Sequence, residues 1–337
     1  MELVNAMSRA MRAVDPDIRV ITDGMSEGDF TLQLVALEPG VDLLADHRYM
    51  PWKTDGTLIR GEGERAEMVP VEALTAEEHF LALVSTPGFD EAGRSWWAYR
   101  QGHDRHDKPM AFTEWNWNGW GRSVRGHPQV RPGWAQAIGA AGFIHAIMRR
   151  GDRAVIACQS MMLGNNWEIT AVRVGEGHEP FIKPTGRVTG FYSRHHGSAM
   201  LAVDDHDVPR YEQPYTMGGI LPAARVARID TLATADEELM YVHMIHRSFD
   251  KPSLVRLDLA GVVPDEVEQA ELRLLLGRTD INVSEPAYAA ALIELDLRVD
   301  LDRGVAEFEL PAQALAVLIA PVDPQRLTHV EALGVEN

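Results

Sequence analysis

Cysteine is nearly missing: Cys158 is the single one in 337 residues. No internal disulfide can form, and a multi-cysteine metal site is excluded. Basic residues are scarce too, 32 Lys and Arg against 50 Asp and Glu, for a formal net charge of −18. Phosphate backbones and anionic membrane surfaces require the opposite balance, so neither nucleic acid nor a membrane is an expected partner. No apolar run approaches the ~20 residues of a membrane span. The opening MELVNAMSRAMRAV carries charges throughout and lacks the apolar core and cleavage site of a signal peptide. Neither H-E-x-x-H nor a phosphate-binding glycine motif occurs, and GEGER (61–65) is too short for one. These absences describe a soluble acidic protein expected in the cytoplasm, with no cofactor and no metal.

What is present is a large apolar fraction, 45%, enough for a substantial core and two domains. Residues 1–14 read as a helix with Leu3, Met7, Ala10, Met11 and Val14 at helical spacing, stopped by DPD. Strands are expected at 18–24, 42–49, 109–115 and 153–161, with Cys158 buried in the last. Between them come a helix over 28–39, a capped helix over 75–88 opened by Thr75 and Glu78, and a helix over 132–151. Apolar strands alternating with helices predict parallel βαβ units. Polar residues gather at the C-terminal strand ends: Asp23, Asp46 to Tyr49, Glu114 to Asn116, and Gln159. Barrel enzymes carry their chemistry there.

After about residue 198 the texture changes to alternating or apolar runs separated by turns, an all-β sandwich signature. The predicted fold is therefore a half TIM-type barrel, (β/α)4, over 1–198, followed by a β-sandwich over 199–337. A closed barrel takes eight strands and ~250 residues, twice the strands found here.

The ordered segments VDPDIRVITDG, LLADHRYMPW, MAFTEWN, AVIACQSMM, FYSRHHG and MIHRSFDKPSLVRLDL resemble the alpha-L-arabinofuranosidases of glycoside hydrolase family 51, from the fourth barrel helix through the C-terminal β domain. The resemblance implies a retaining glycosidase acting on arabinofuranosides of plant polysaccharides or related pentosides. It implies that Glu114 is the strand-seven nucleophile, within Thr113-Glu114-Trp115-Asn116. His47 and Tyr49 match a strand-six His-x-Tyr, and Gln159 matches a sugar-contacting glutamine. The family's acid/base lies in an Asn-Glu motif upstream of the helix matched by residues 1–14, so the chain is expected to begin after it.

Retaining hydrolysis needs two carboxyl groups ~5–5.5 Å apart, one ionised and one protonated. Around Glu114, Trp115, Trp117 and Trp120 are expected as platforms for a sugar face, and Asn116 and Asn118 as partners for hydroxyls. Candidates for the acid are Asp23, which also reads as a turn residue of TDG; Asp46, which also reads as orienting His47; and Glu168 in NNWEIT. The other route is assembly, because four βα units leave two open sheet edges. A homo-oligomer in which barrel halves pair would close them. An alternative reading is a catalytically incomplete half-barrel that binds carbohydrate or serves as one subunit of a split enzyme, or an oligomer without activity. The clusters GHDRHDK and SRHHGS, the Met161–Met162 pair, and His243 and His246 read as loop, core or surface features rather than metal sites; DDHDVPR reads as a turn between β strands, with a calcium-type carboxylate cluster as the alternative.

Overall fold

The computed structural model describes residues 2–23, 40–52, 57–97, 108–117, 132–151, 153–165, 169–175, 177–277 and 292–327. Four strands form one parallel sheet in chain order: β1 (Ile21–Asp23), β2 (Leu43–Tyr49), β3 (Met110–Asn116) and β4 (Ala154–Gln159). Helix Ala76–Leu83 lies between β2 and β3 in the chain, and helix Pro132–Met148 between β3 and β4. The helix expected over 28–39 lies outside the described residues. The capping box forms as predicted: Glu78 N–H donates to Thr75 Oγ1 at 3.2 Å, and Thr75 N–H to Glu78 Oε2 at 2.8 Å.

Helix Pro132–Met148 is apolar all round and buried nearly throughout, which its small residues allow. A Cβ on Gly139 would stand 2.3 Å from the Trp117 ring, and one on Gly142 2.4 Å from Thr86. Trp134, on the same helix, donates from its indole to the Gln313 carbonyl at 2.7 Å. One apolar core accordingly runs from the parallel sheet through this helix to Tyr241, Leu315 and Val317 of the β region.

Among the described residues the main sheet of the β region is eight-stranded and antiparallel, ordered 199–201, 229–235, 239–246, 315–321, 269–276, 293–302, 305–310, 253–258. This sheet curls on itself, one continuous curled sheet where two packed sheets were expected. Strand Ile293–Asp302 pairs along 269–276 and then, at its end, with Val305–Leu310. Val255, Ala306 and Leu310 thereby meet Leu272, Val242 and Leu318 in a second core.

Two expectations are corrected. The outward side of helix Glu2–Val14 is apolar: Leu3 is 70% and Met7 54% exposed, whereas Ser8 is buried and bonds the Gly40 carbonyl. Likewise β1 and β4 are not buried strands. Val155, Ile156 and Cys158 of β4 are exposed, because among the described residues β4 pairs with β3 alone.

A buried polar network joins the two sheets. Asp230 is fully buried and accepts from Arg149 at 2.6 Å, Arg247 at 2.8 Å and His145 Nδ1 at 3.2 Å. His145 Nε2 accepts from the Tyr192 hydroxyl at 2.7 Å, and Tyr192 stacks on His243 at 4.4 Å. Burial alone would raise the Asp230 pKa, but Arg149, Arg247 and His145 outweigh it and hold the carboxyl well below the ordinary 3.8. Burial lowers His145 to about 4, so the ring is neutral and donates one proton while accepting another.

Asp230→Asn leaves two buried guanidinium groups short of their counter-charge, and we expect a loss of about 3–5 kcal/mol in urea unfolding. The depressed Asp230 pKa contributes stability that is present above the unfolded-state value of 3.8 and lost as pH falls through the folded one. The stability of Asp230→Asn should therefore depend less on pH below about 4 than that of the wild type.

Candidate active site

Glu114 sits near the end of β3, and a local irregularity aims it. Asp46 of β2 is level with Phe112, and the next residue, His47, is level with Glu114, so Thr113 is an inserted residue. The same slip recurs against β4, where Phe112 pairs with Ala157 and Trp115 with Gln159. In a regular strand Phe112 and Glu114 would share a face; one extra residue puts them on opposite faces. Phe112 then packs on Trp97 at 4.4 Å in the core, while Glu114 joins His47 and Tyr49.

The Tyr49 hydroxyl donates to Glu114 Oε2 at 2.6 Å, and His47 Nδ1 lies 3.4 Å from the same oxygen. The side chains of His47 and Glu114 are 38% and 41% exposed, so the group is open to solvent. Burial, then the bond to Glu114, pushes the Tyr49 pKa up to about 12, which keeps Tyr49 a donor at all ordinary pH.

Several expected contacts prove structural. Trp115 and Trp117 are only 3% and 1% exposed. Trp115 stacks on Phe143 at 6.0 Å, and Trp117 donates to the Leu83 carbonyl at 2.9 Å, so both face the helix layer and offer no sugar platform. Asn116 spends its amide on the carbonyls of Ser160 (2.8 Å) and Ile169 (2.6 Å), tying β3 to the segment after β4. Asp46 is buried, with Arg48 at 2.6 Å, and burial raises its pKa to about 6. Gln159 stands level with Trp115 rather than Glu114, and its amide atoms are buried without a partner.

Asp23 is level with Ala45, two rows before His47 and two strands from Glu114. That register separates the two Cα atoms by about 12 Å, wide for a carboxyl pair that should meet at ~5–5.5 Å. Trp120, Asn118 and Glu168 lie outside the described residues, as does most of GHDRHDK. His195 and His196 bond the Phe191 and Tyr192 carbonyls at the end of helix Pro184–Arg194, and His246 bonds the Pro311 carbonyl. Among the described residues no cluster of three or more His, Cys, Asp or Glu side chains could hold a metal, and no helix is long and apolar enough to cross a membrane.

The aromatic side chain that does reach the mouth is Trp52, 50% exposed and edge-on to Tyr49 with ring centroids 6.1 Å apart. In the sequence it stands just after His-x-Tyr, in HRYMPW.

No family profile matches the chain, and no curated protein matches it in sequence. Solved structures do match. The alpha-L-arabinofuranosidase from Thermotoga maritima, crystallised with arabinose, is 13% identical with a TM-score of 0.62, over 94% of this chain and 61% of that one. A family 51 alpha-L-arabinofuranosidase from Bifidobacterium longum is 16% identical with a TM-score of 0.64, over 94% and 62%. The thermostable family 51 enzyme of Thermotoga petrophila is 14% identical with a TM-score of 0.62, over 94% and 61%. At such identities the likeness is one of fold, and the resemblance read from the motifs is borne out at that level. The chain spans roughly three fifths of the length of these structures, a barrel-type sheet with its β region.

Glu114→Gln removes the carboxylate charge that, after burial, contributes to raising Tyr49, and leaves only a neutral amide oxygen as acceptor. The ¹³Cζ titration of Tyr49, followed by NMR, should move down from about 12 toward the ordinary tyrosine value. An unmoved titration would mean that burial alone holds it.

Proposed function

We propose that this chain is the nucleophile-bearing part of a retaining glycoside hydrolase of the alpha-L-arabinofuranosidase type. Its substrates are arabinofuranosides of plant polysaccharides or related pentosides. The observation that carries the reading is Glu114 at a parallel strand end, with one oxygen held by Tyr49 and flanked by His47. In this reading Glu114 Oε1 attacks the anomeric carbon, and the leaving oxygen takes its proton from an acid ~5–5.5 Å away. Water then hydrolyses the glycosyl ester with the same acid acting as base. Tyr49 stabilises the carboxylate as it is released from the ester, and His47 lines the sugar subsite.

Residues 1–198 form a (β/α)4 half-barrel in this proposal and 199–337 the β domain, in a cytoplasmic protein. The acid comes from outside the described residues, and a homo-oligomer in which halves pair completes the barrel. The exposed β4, the edge strand β1 and the bare apolar side of helix Glu2–Val14 support this, because a parallel sheet is stable when both faces are covered. In a two-fold closure, β4 of the second copy would adjoin β1, and the sequence following β4 carries Glu168. The same open edges support a second reading, in which the chain binds carbohydrate as one subunit of a split enzyme.

Aryl alpha-L-arabinofuranosides test the first reading. Glu114→Gly should abolish nitrophenol release by at least about 10³-fold, and azide should restore it with an inverted glycosyl azide as product. Turnover that survives the substitution refutes the nucleophile. Light scattering with thiol labelling tests the pairing: an assembly should protect Cys158 on β4, whereas a monomer with freely labelled Cys158 refutes it.

A further inference from the structure

The rim of the site is not made by the parallel sheet alone. A turn from the β region, Met217 to Ile220, reaches back to the residues that follow β2. Met217 and Ile220 pair across it, and its two central glycines take positive φ, 55° at Gly218 and 95° at Gly219. The buried Gln213 side chain fastens the base of this hairpin. It donates to the carbonyls of Tyr215 (2.7 Å) and Leu221 (3.1 Å) and accepts from the Tyr215 N–H (2.7 Å). Tyr215 is itself clamped by Arg60, which bonds its hydroxyl at 2.6 Å and lies over its ring.

This rigid turn meets the Tyr49–Trp52 segment at two points. The Trp52 N–H donates to the Gly218 carbonyl, and Met50 packs against Gly219 so closely that an added Cβ would stand 3.2 Å from its Sδ and Cε. Met50 N–H is bonded in turn to the Asn116 carbonyl at 3.2 Å, the end of the strand that carries Glu114. The backbone leading into Trp52 is therefore tied to both the turn and the end of β3, while the ring remains half in solvent beside Tyr49. An exposed indole on a tethered backbone offers a flat apolar face, the property that stacks on the C–H face of a sugar ring.

We propose that the Met217–Ile220 turn is a specificity-setting prop, and that Trp52, which it positions, is the platform for the sugar on the leaving-group side of the cleaved bond. Tyr49 and Glu114 occupy the position of the terminal unit, and Trp52 stands one ring further out. The ligand class is a saccharide of two or more units, of which only the outer sugar contacts Trp52. The inference rests on the glycosidase reading of Glu114.

The test compares alpha-1,5-L-arabinotriose with L-arabinose, by calorimetric affinity and, for the trisaccharide, by kcat/KM. In Trp52→Ala the ratio of trisaccharide to monosaccharide affinity should fall at least tenfold, and Trp52→Phe should restore it to within about threefold of wild type. Gly219→Val, which pushes on Met50 and strains a positive φ, should lower the same ratio with Trp52 intact. A purely structural role would lower both affinities together and leave the ratio alone, and that outcome overturns the proposal, as does a Trp52→Ala ratio equal to wild type. Trisaccharide binding that depends on Trp52 without turnover would uphold the platform and sink the hydrolase. Turnover abolished in Glu114→Gly yet indifferent to Trp52 would do the reverse. A wild type that binds and cleaves none of these sugars overturns both.

Discussion

A parallel sheet must be covered on both faces, because its strands are apolar on each side and its crossovers bring helices to the faces. Here one face of a four-stranded parallel sheet is covered thoroughly. Helix Pro132–Met148 lies against it through alanines and glycines, with Trp97, Phe112, Trp115 and Phe143 packed between. The other face carries His47, Tyr49 and Glu114 and stands open, and the sheet ends in two strands with one neighbour each among the described residues. Most of what is distinctive in this molecule follows from that asymmetry: the bare apolar side of the first helix, the exposed Cys158, and the half-exposed glutamate.

The covered face is also where the two parts of the chain are joined. Asp230 belongs to the β region, yet one of its two arginines, Arg149, follows helix Pro132–Met148, and His145 lies within it. A fully desolvated carboxylate held by two guanidinium groups allows little freedom of position, since separating the partners would leave charges unpaired. The same register of β region against barrel sheet carries the Met217–Ile220 turn to Met50 and Trp52. A network far from the site thus fixes how a β-region turn meets the strand ends.

Legibility in the sequence followed the physics of each feature. The four strands and helix Ala76–Leu83 were readable because they depend on local signals, apolar runs bounded by turns and a Thr75–Glu78 capping box. The location of Glu114 at a strand end was readable for the same reason. Which way its neighbours point was not, because the inserted Thr113 reverses the alternation, and no local pattern announces a bulge. Trp115, Trp117 and Asn116 were therefore assigned to the sugar when they belong to the core and the loop staple. Trp52 was missed because its position depends on a turn more than 150 residues away, a contact that only the tertiary structure supplies. Strand burial failed for β4 because burial depends on neighbours beyond those described.

The openness of the site and the openness of the sheet are one problem. A carboxylate nucleophile works against a developing oxocarbenium charge, and the electrostatic term strengthens as water leaves. Glu114 has a bonded partner for one oxygen and a side chain 41% exposed to solvent. Whatever covers β1 and β4 would bury the uncovered sheet face and at the same time exclude water from Glu114. Covering that face is worth roughly 25 cal/mol per Å² of apolar surface, so the stability requirement of the sheet and the dielectric requirement of the chemistry favour the same event. In the proposed hydrolase the separation of the two carboxyl groups would then be set by how the sheet closes, rather than by anything Glu114 can adjust within its own strand.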